Sequence, residues 1–411
     1  MQDRTAAPAQ RIFDFVIAGA GVAGLSLAAS LKQALGRGAN ILVVDPDMGN
    51  REGRDRASAI AGGSRRLLEQ IGAWAAIEPL AQPILHMAVM DGGARDPVRP
   101  TQIRFDETEG EPLAHMAMND DVVASLLNVC RSLGVECVQG SVAGFTLGRY
   151  SIEARLDGAP PARASLLIAA DGVRSRLRNL AEIATIGWDY GQSAIVATIA
   201  HERDHHGRAE QHFLPAGPFA ILPLRGRRSS IVWSEPSREA KALMALAPQD
   251  FKRQLEYRFG HRLGEIDIAS KPRSFPLGFR IARRFVGPRL ALIGDAAHLV
   301  HPLAGQGLNL GLRDVAALAE ILAEPMRLGL DPGAADILAR FERARRFDVA
   351  ASGLGMDAMN RLFSNDVAPL RALRDFGLRL VERAPELKRY FIEEAGGARG
   401  AAPRLLRGLA I

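Results

Sequence analysis

One segment constrains this chain more than any other: Gly19-Ala20-Gly21-Val22-Ala23-Gly24, set between an apolar run, Phe13 to Ala18, and a helix-compatible stretch, Leu25 to Leu35. A second apolar run, Ile41 to Val44, then ends in Asp45. Strand, glycine turn, helix, strand and acid is the dinucleotide-binding unit in its required context. Glycines are needed because backbone amides at the helix N-terminus must approach a pyrophosphate where a Cβ would intrude. Asp45 lies about 20 residues beyond the last glycine, where a carboxylate can accept from a ribose hydroxyl. The segment predicts an ADP-containing cofactor on a doubly wound sheet.

Two later segments repeat the design of an apolar strand running into glycine and aspartate. Leu166 to Ala170 leads into Asp171-Gly172, and Arg289 to Ile293 leads into Gly294-Asp295. An isolated Asp-Gly is a turn and nothing more. Three such ends in order belong at the carboxyl edge of one parallel sheet, where an extended cofactor lies across them. Between them the spacing predicts a helix within Asp55 to Trp74, a strand at Ile84 to Met90, a helix at Asp121 to Leu133 and a strand at Val135 to Val138. Ala194 to Val232 is rich in strand and turn signals and is expected to form a second, sheet-based domain. Leu308, Leu312, Val315, Ala319 and Leu322 fall on one helical face, and beyond Asp348 only helical patterns remain.

These motifs identify the chain as resembling the single-component flavoprotein aromatic hydroxylases. The run Gly294-Asp295-Ala296-Ala297-His298, followed by His301-Pro302-Leu303-Ala304-Gly305-Gln306-Gly307-Leu308-Asn309-Leu310-Gly311, is similar to the ubiquinone-biosynthesis branch, which oxidises a polyprenylated phenol ring. Arg56-Ala57-Ser58-Ala59-Ile60, Phe213 to Leu224 and Leu362-Phe363-Ser364-Asn365-Asp366 support the match. The resemblance implies FAD held by Gly19, Gly21, Gly24, Asp45, Arg56, Asp171, Gly172, Gly294, Asp295, Gly307, Leu308 and Asn309. It places His301, Pro302, Gly305, Gln306 and Gly307 near the flavin ring without naming a catalytic acid or base. Asp45 stands where glutamate is commoner, one methylene shorter. The implied fold is α/β: a discontinuous Rossmann-like FAD-binding domain (1–80, 101–180 and 281–345), a mostly β substrate domain (a strand in 81–100, then 181–280) and a helical C-terminal region (346–411). The implied reaction puts one oxygen atom of O2 into an activated phenol through a flavin C4a-hydroperoxide. Its runners-up are hydroxylation of a small soluble aromatic and a flavin-bound assembly protein without activity.

The glycine-glutamine-glycine loop has a physical reading of its own. Glycines beside Gln306 let backbone amides approach a flat ring, and a helix beginning near Gly307 would turn its positive end toward a reduced, anionic flavin. No second glycine fingerprint follows a strand, since Gly353-Leu354-Gly355 lies in a helical stretch. Reducing equivalents are therefore expected from NAD(P)H bound transiently or from a protein donor.

Composition excludes other classes. Apolar residues make up 47% of the 411 and charged residues 24%, a globular balance. The net charge of +6 permits an acidic partner, but aromatic residues are only 6%, too few for the stacking platforms of single-strand binders, so no nucleic acid is expected. Cys130 and Cys137 make no disulfide framework or zinc spacing, which suits a reducing compartment. No apolar window is long enough to span a bilayer, so a cytoplasmic protein is expected, or one on the cytoplasmic face of the inner membrane. His201-Glu202-Arg203-Asp204-His205 matches a zinc-protease string, but it follows a strand-like run where that chemistry needs a helix. A solvated turn and no metal are expected there, and His86, His115, His212 and His261 have no evident partners. Between Pro369 and Arg383, Leu370, Leu373, Leu380 and Val381 oppose Arg371, Arg379 and Arg383. That face is expected to pack on the flavin domain, with contact to lipid or to a quinone-biosynthesis complex as the alternative.

Overall fold

The computed structural model describes residues 12–48, 56–91, 101–107, 110–301, 306–363 and 402–411. Its first third runs β1 (Ile12–Ala18), α1 (Val22–Leu35), β2 (Ile41–Asp45), β3 (Ala57–Ala61), α2 (Gly62–Gln70), α3 (Trp74–Ile77), β4 (Gln82–Ile84), β5 (His86–Asp91), β6 (Thr101–Asp106), β7 (Ala114–Met118) and α4 (Asn119–Ser132). The middle runs β8 (Glu136–Gln139), β9 (Val142–Leu147), β10 (Ile152–Leu156), β11 (Ala162–Ala169), α5 (Arg176–Leu180), β12 (Thr185–His201), β13 (Arg208–Leu214), β14 (Gly217–Leu224) and β15 (Arg228–Pro236). There follow α6 (Ser237–Met244), α7 (Pro248–Phe259), β16 (Ile266–Ile268), β17 (Arg273–Ala282), β18 (Val286–Gly287), β19 (Leu290–Leu292), β20 (His298–Leu299), α8 (Gln306–Arg327) and α9 (Ala335–Phe363).

The first sheet has the order β18-β19-β11-β1-β2-β8, with β10 and β9 appended to β11. Its central pairings, β19 with β11, β11 with β1, β1 with β2 and β2 with β8, are all parallel. Parallel strands are covered on both faces and read as continuous apolar runs, and Phe15, Val16, Ile17, Val43, Leu166, Leu167 and Ile168 are buried accordingly. Helix α1 is buried along most of its length, from Gly24 to Lys32, which explains its nearly all-round apolar text. Even Lys32 is enclosed, its ammonium donating to the carbonyls of Arg37 and Ala39 at 3.1 and 2.5 Å. In α8, Leu312, Val315, Ala319 and Leu322 are fully buried and Leu308 partly so, as the period predicts.

The second sheet is mostly antiparallel, in the order β20-β17-β12-β15-β14-β13-β5-β6. Strand alternation gives it two faces. Ile195, Ala197, Ile199, Phe219, Ile221, Ile231 and Trp233 form one, packed under Phe251, Leu255 and Phe259 of α7. The opposite face carries Val196, Leu222, Val232 and Phe275, which are only half-buried. A small sheet, β3-β7-β4, packs its Ala59, Ile84 and Met116 against Ala209 and Leu224 of the second sheet. The architecture is α/β: a Rossmann-like parallel sheet assembled from separated parts of the chain, an inserted mostly β layer, and helix at the C-terminal side.

Several local expectations are corrected. The helix expected within Asp55 to Trp74 is preceded by a strand, because Ala57 to Ala61 pairs antiparallel with Met118 to Ala114. Alanine-rich text favours helix locally, and the offered pairing edge overrides it. The strand expected at Ile84 to Met90 is two, β4 and β5, in different sheets, and β6 pairs with β5 in the second sheet. The turn after β12 is not simply solvated. Glu202, Arg203 and Asp204 are exposed, but His201 and His205 are buried. His201 bonds the Arg203 carbonyl at 2.7 Å and Ser229 Oγ at 3.0 Å, and His205 bonds the Leu224 carbonyl at 2.7 Å. His212 sits buried beside Glu210 at 3.1 Å, and His86 bonds Asp106 at 2.7 Å.

Candidate functional site

The parallel register alone brings the three motifs together. Strand order β19, β11, β1, β2 means that the chain leaves adjacent strands at Gly294, Asp171, Gly19 and Asp45, all at the carboxyl edge. Backbone bonds lock the ends level: Gly19 N–H donates to Val44 O at 2.8 Å, Ala170 N–H to Ala18 O at 2.8 Å, and Ile293 N–H to Ala169 O at 3.0 Å. This edge of an open α/β sheet is where such folds bind extended ligands.

The glycines of the first turn have different duties. A Cβ on Gly19, whose φ is +113°, would lie 2.2 Å from Ala170 O, and one on Gly24 would lie 2.0 Å from Gly19 O. Both therefore serve packing of the turn on its neighbours. Gly21 has no described residue within 4 Å of where a Cβ would be, so packing within the described residues does not require glycine there. It caps α1 without a side-chain hydrogen bond, and the first turn of α1 holds no acid, leaving a positive helix end for an anion. Asp45, buried at the end of β2, ties the turn down: it accepts from Ala20 N–H at 2.7 Å and Asp47 N–H at 2.8 Å.

After β11, Asp171 accepts from Leu177 N–H at 3.2 Å through one oxygen, while its other oxygen is buried with no hydrogen-bond partner among the described residues. Arg178 bridges this turn to the next, donating to Val173 O at 3.0 Å and Ala296 O at 2.9 Å. Asp295 reaches water, but inside a cleft walled by Val173, Arg178, Thr185, Arg280 and His298. Desolvation by those walls pushes its carboxyl upward from the ordinary value, Asp314 adds to the push, and His298 and Arg56 pull against it. Arg56 enters from the start of β3 with its guanidinium over the Phe275 ring at 5.2 Å, joining this edge to the second sheet.

Beneath the Gly294-Asp295 turn lies a network the sequence does not announce. Asp314 of α8 is fully buried and accepts from Gly294 N–H at 2.9 Å, His298 Nε2 at 2.7 Å and Arg345 Nε at 2.7 Å. Arg345 continues to Asp348 at 2.5 Å. Burial alone would raise the Asp314 carboxyl, but His298 and Arg345 outweigh it and hold it below the ordinary value. The only hint in sequence is that an acid interrupts the apolar period of α8.

The glycine-glutamine-glycine region divides. Pro302 and Gly305 lie outside the described residues, as do 364–366 and the amphipathic stretch 370–383. Helix α8 opens at Gln306, and Gly307 and Leu308 in its first turn are half-buried. Gly307 has no described residue within 4 Å of where a Cβ would be, and its φ is not positive, so nothing in the backbone itself requires glycine there. Asn309 is buried, its amide donating to Ala59 O at 2.9 Å and accepting from Ala61 N–H at 3.0 Å. It clamps β3 to α8 like an added strand. His301 is 1% exposed, edge-on to Tyr190 at 5.3 Å between ring centroids.

The edge therefore offers an anion-binding helix end, an orphaned buried carboxylate oxygen, a carboxylate in a cleft and an arginine across from it, which suits an FAD lying along the turns. Comparison with known proteins agrees. Residues 13–350 match the family model described as FAD binding domain. The ubiquinone hydroxylase UbiL of Rhodospirillum rubrum is 42% identical, over 98% of this chain and 94% of its own length. The 3-demethoxyubiquinol 3-hydroxylase of Escherichia coli is 32% identical, over 93% and 98%. Among solved structures, the p-nitrophenol 4-monooxygenase PnpA of Pseudomonas putida DLL-E4 shares the fold, with a TM-score of 0.79 over 95% of this chain and all of that one at 19% identity. The chain belongs to the FAD-dependent monooxygenases, in the group that contains the ubiquinone-biosynthesis hydroxylases.

Proposed function

We propose that this monooxygenase hydroxylates the aromatic ring of a polyprenylated phenol in ubiquinone biosynthesis. The observation that carries the reading is the alignment of Gly294-Asp295, Asp171-Gly172, Gly19 to Gly24 and Asp45 along one sheet edge, beside a second sheet whose face opposite α7 leaves apolar side chains half-buried among buried Thr198, Ser230 and Ser234. Val196, Leu222, Val232 and Phe275 on that face suit a hydrophobic substrate. The relatives that carry ubiquinone in their names cover nearly the whole chain.

In this reading the amides around Gly21 hold the pyrophosphate and Asp45 braces the turn at the ribose end. Asp171 and Gly172 border the diphosphate, Asp295 takes a hydroxyl of the ribityl chain, and Arg56 closes the cleft. Gly307 and Leu308 present backbone at the ring, while Asn309 acts through β3. Bound FAD supplies the activation of O2, and NAD(P)H or a protein donor supplies electrons. The chain's own residues orient the phenol and exclude water. The FAD-binding and substrate domains would divide as the two sheets do, with β6 and β20 going to the second sheet and not to the FAD-binding part. Among the described residues no helix is long and apolar enough to cross a membrane, so a bilayer-resident substrate is reached from the surface or through a partner.

Deleting the gene and identifying the accumulated quinone precursors by mass spectrometry tests this. A precursor lacking one ring hydroxyl, restored by the wild-type gene and not by Asp295→Ala, is the expected result. An unchanged quinone pool would reject the reading.

A further inference from the structure

His301 differs from five other histidines of the described residues. His86, His201, His205, His212 and His298 each hold a carboxylate, a hydroxyl or a carbonyl. His301 is as deeply buried as any of them, yet neither ring nitrogen has a hydrogen-bond partner among the described residues. A buried imidazole lacking both partners is uncommon in folded proteins, and each such group calls for an explanation, a catalytic or ligand-holding role among them.

Its surroundings say what. His301 follows the Asp295 turn and β20, which is paired to β17 of the second sheet, so it lies at the seam between the two sheets. The side chains gathered there are flat or soft: Trp188 and Tyr190 from β12, Phe279 from β17, Val300, and Met356 from α9. Behind this wall Asp357 of α9, held by Trp188 Nε1 at 2.9 Å, faces the imidazole electrostatically. Desolvation in this apolar setting holds His301 down to about 4, with Asp357 pulling weakly back. The ring is thus neutral at physiological pH, with one nitrogen to donate and one to accept.

We propose that His301 is the substrate-orienting residue of this enzyme, accepting a hydrogen bond from the phenolic hydroxyl of the ring to be oxidised. This rests on the prenylphenol reading above. An acceptor at that hydroxyl leaves more electron density on the ring oxygen and on the carbons ortho and para to it, the positions an electrophilic oxygen takes. No bond is made or broken at His301. The aromatic wall fixes the plane of the ring, and the hydrogen bond fixes its rotation in that plane.

The test is equilibrium binding to the FAD-loaded enzyme, read from the change in flavin absorbance, with 2-prenylphenol and with prenylbenzene, which lacks only the hydroxyl. The wild type should bind the phenol about tenfold tighter, the weight of one buried hydrogen bond. His301→Leu should bring that ratio close to one with prenylbenzene binding and flavin content unchanged, and His301→Gln, which keeps an acceptor, should restore part of it. Should the leucine variant not fold, His301→Phe reads the same ratio within an aromatic wall. A variant without an acceptor that keeps the wild-type ratio overturns the assignment and leaves the substrate reading standing. A wild type that binds neither compound overturns the substrate reading and this inference with it.

Discussion

At the scale of single residues the glycine turn separates two kinds of requirement that look identical in a motif. Gly24→Ala places a methyl 2.0 Å from a backbone oxygen that cannot retreat, so the protein should fold poorly, with thermal melting as the measure. Gly21→Ala meets nothing among the described residues. It should melt as the wild-type apoprotein does, yet bind FAD at least about tenfold more weakly by flavin fluorescence titration, since the methyl fills the pyrophosphate's approach. Equal FAD affinity in Gly21→Ala would remove the phosphate from this turn. Asp295→Ala should weaken FAD by about tenfold to a hundredfold, the range for a charge-assisted hydrogen bond, read from the flavin retained after gel filtration. Asp314 makes a prediction about pH. Its carboxyl is held below the ordinary value, so its stabilisation is present above about pH 3.9 and is lost as pH falls through the folded value. Asp314→Asn should cost about 3 to 5 kcal/mol at pH 7 by urea unfolding, because Arg345 is left buried without its partner. The variant should also lose less stability than the wild type on acidification.

Among elements, α8 matters most because it reaches two layers at once. Its buried face fills the core of the first sheet, Asp314 pins the turn after β19, and Asn309 supplies β3 with a hydrogen-bonding edge. Asn309→Ala should leave Ala61 N–H and Ala59 O unpaired in the interior, at about 1 to 3 kcal/mol for each group. Because β3 carries Arg56 to the cleft, hydrogen exchange at Ala61 should accelerate before global unfolding, and FAD retention should fall with it. Unchanged exchange in β3 would show that β7 alone holds the strand. The same α8–β3 joint explains why the local text of 57–61 misleads. Its alanines favour helix, and only the pairing with β7 and the amide of Asn309 make it a strand.

For the whole molecule, the edge proposed to hold FAD is assembled from four separate strand ends, so ligand binding and folding should be linked. FAD at about a hundred times its Kd should stabilise the protein by about 2.7 kcal/mol. Riboflavin, which lacks the ADP half that the proposed reading sets against Gly21 and Asp45, should shift the melting temperature much less. Equal shifts from both would place the flavin ring, and not the ADP half, as the anchor.

What the chain carries legibly by itself is whatever depends on neighbours in sequence. The strand–glycine–helix unit at 12–35, the acid at 45, the Asp-Gly and Gly-Asp strand ends and the apolar period of α8 are each set by backbone freedom and by spacing of a few residues. The cofactor class and the parallel sheet follow from them. Contacts between distant residues are not written that way. That Asn309 would spend its amide on β3, that His298 would turn inward to Asp314 while His301 found no partner among the described residues, and that His201 and His205 would be buried around exposed neighbours depend on which strands the packing sets side by side. A buried polar group must find its partner wherever the fold brings one, and that choice is made by the tertiary structure.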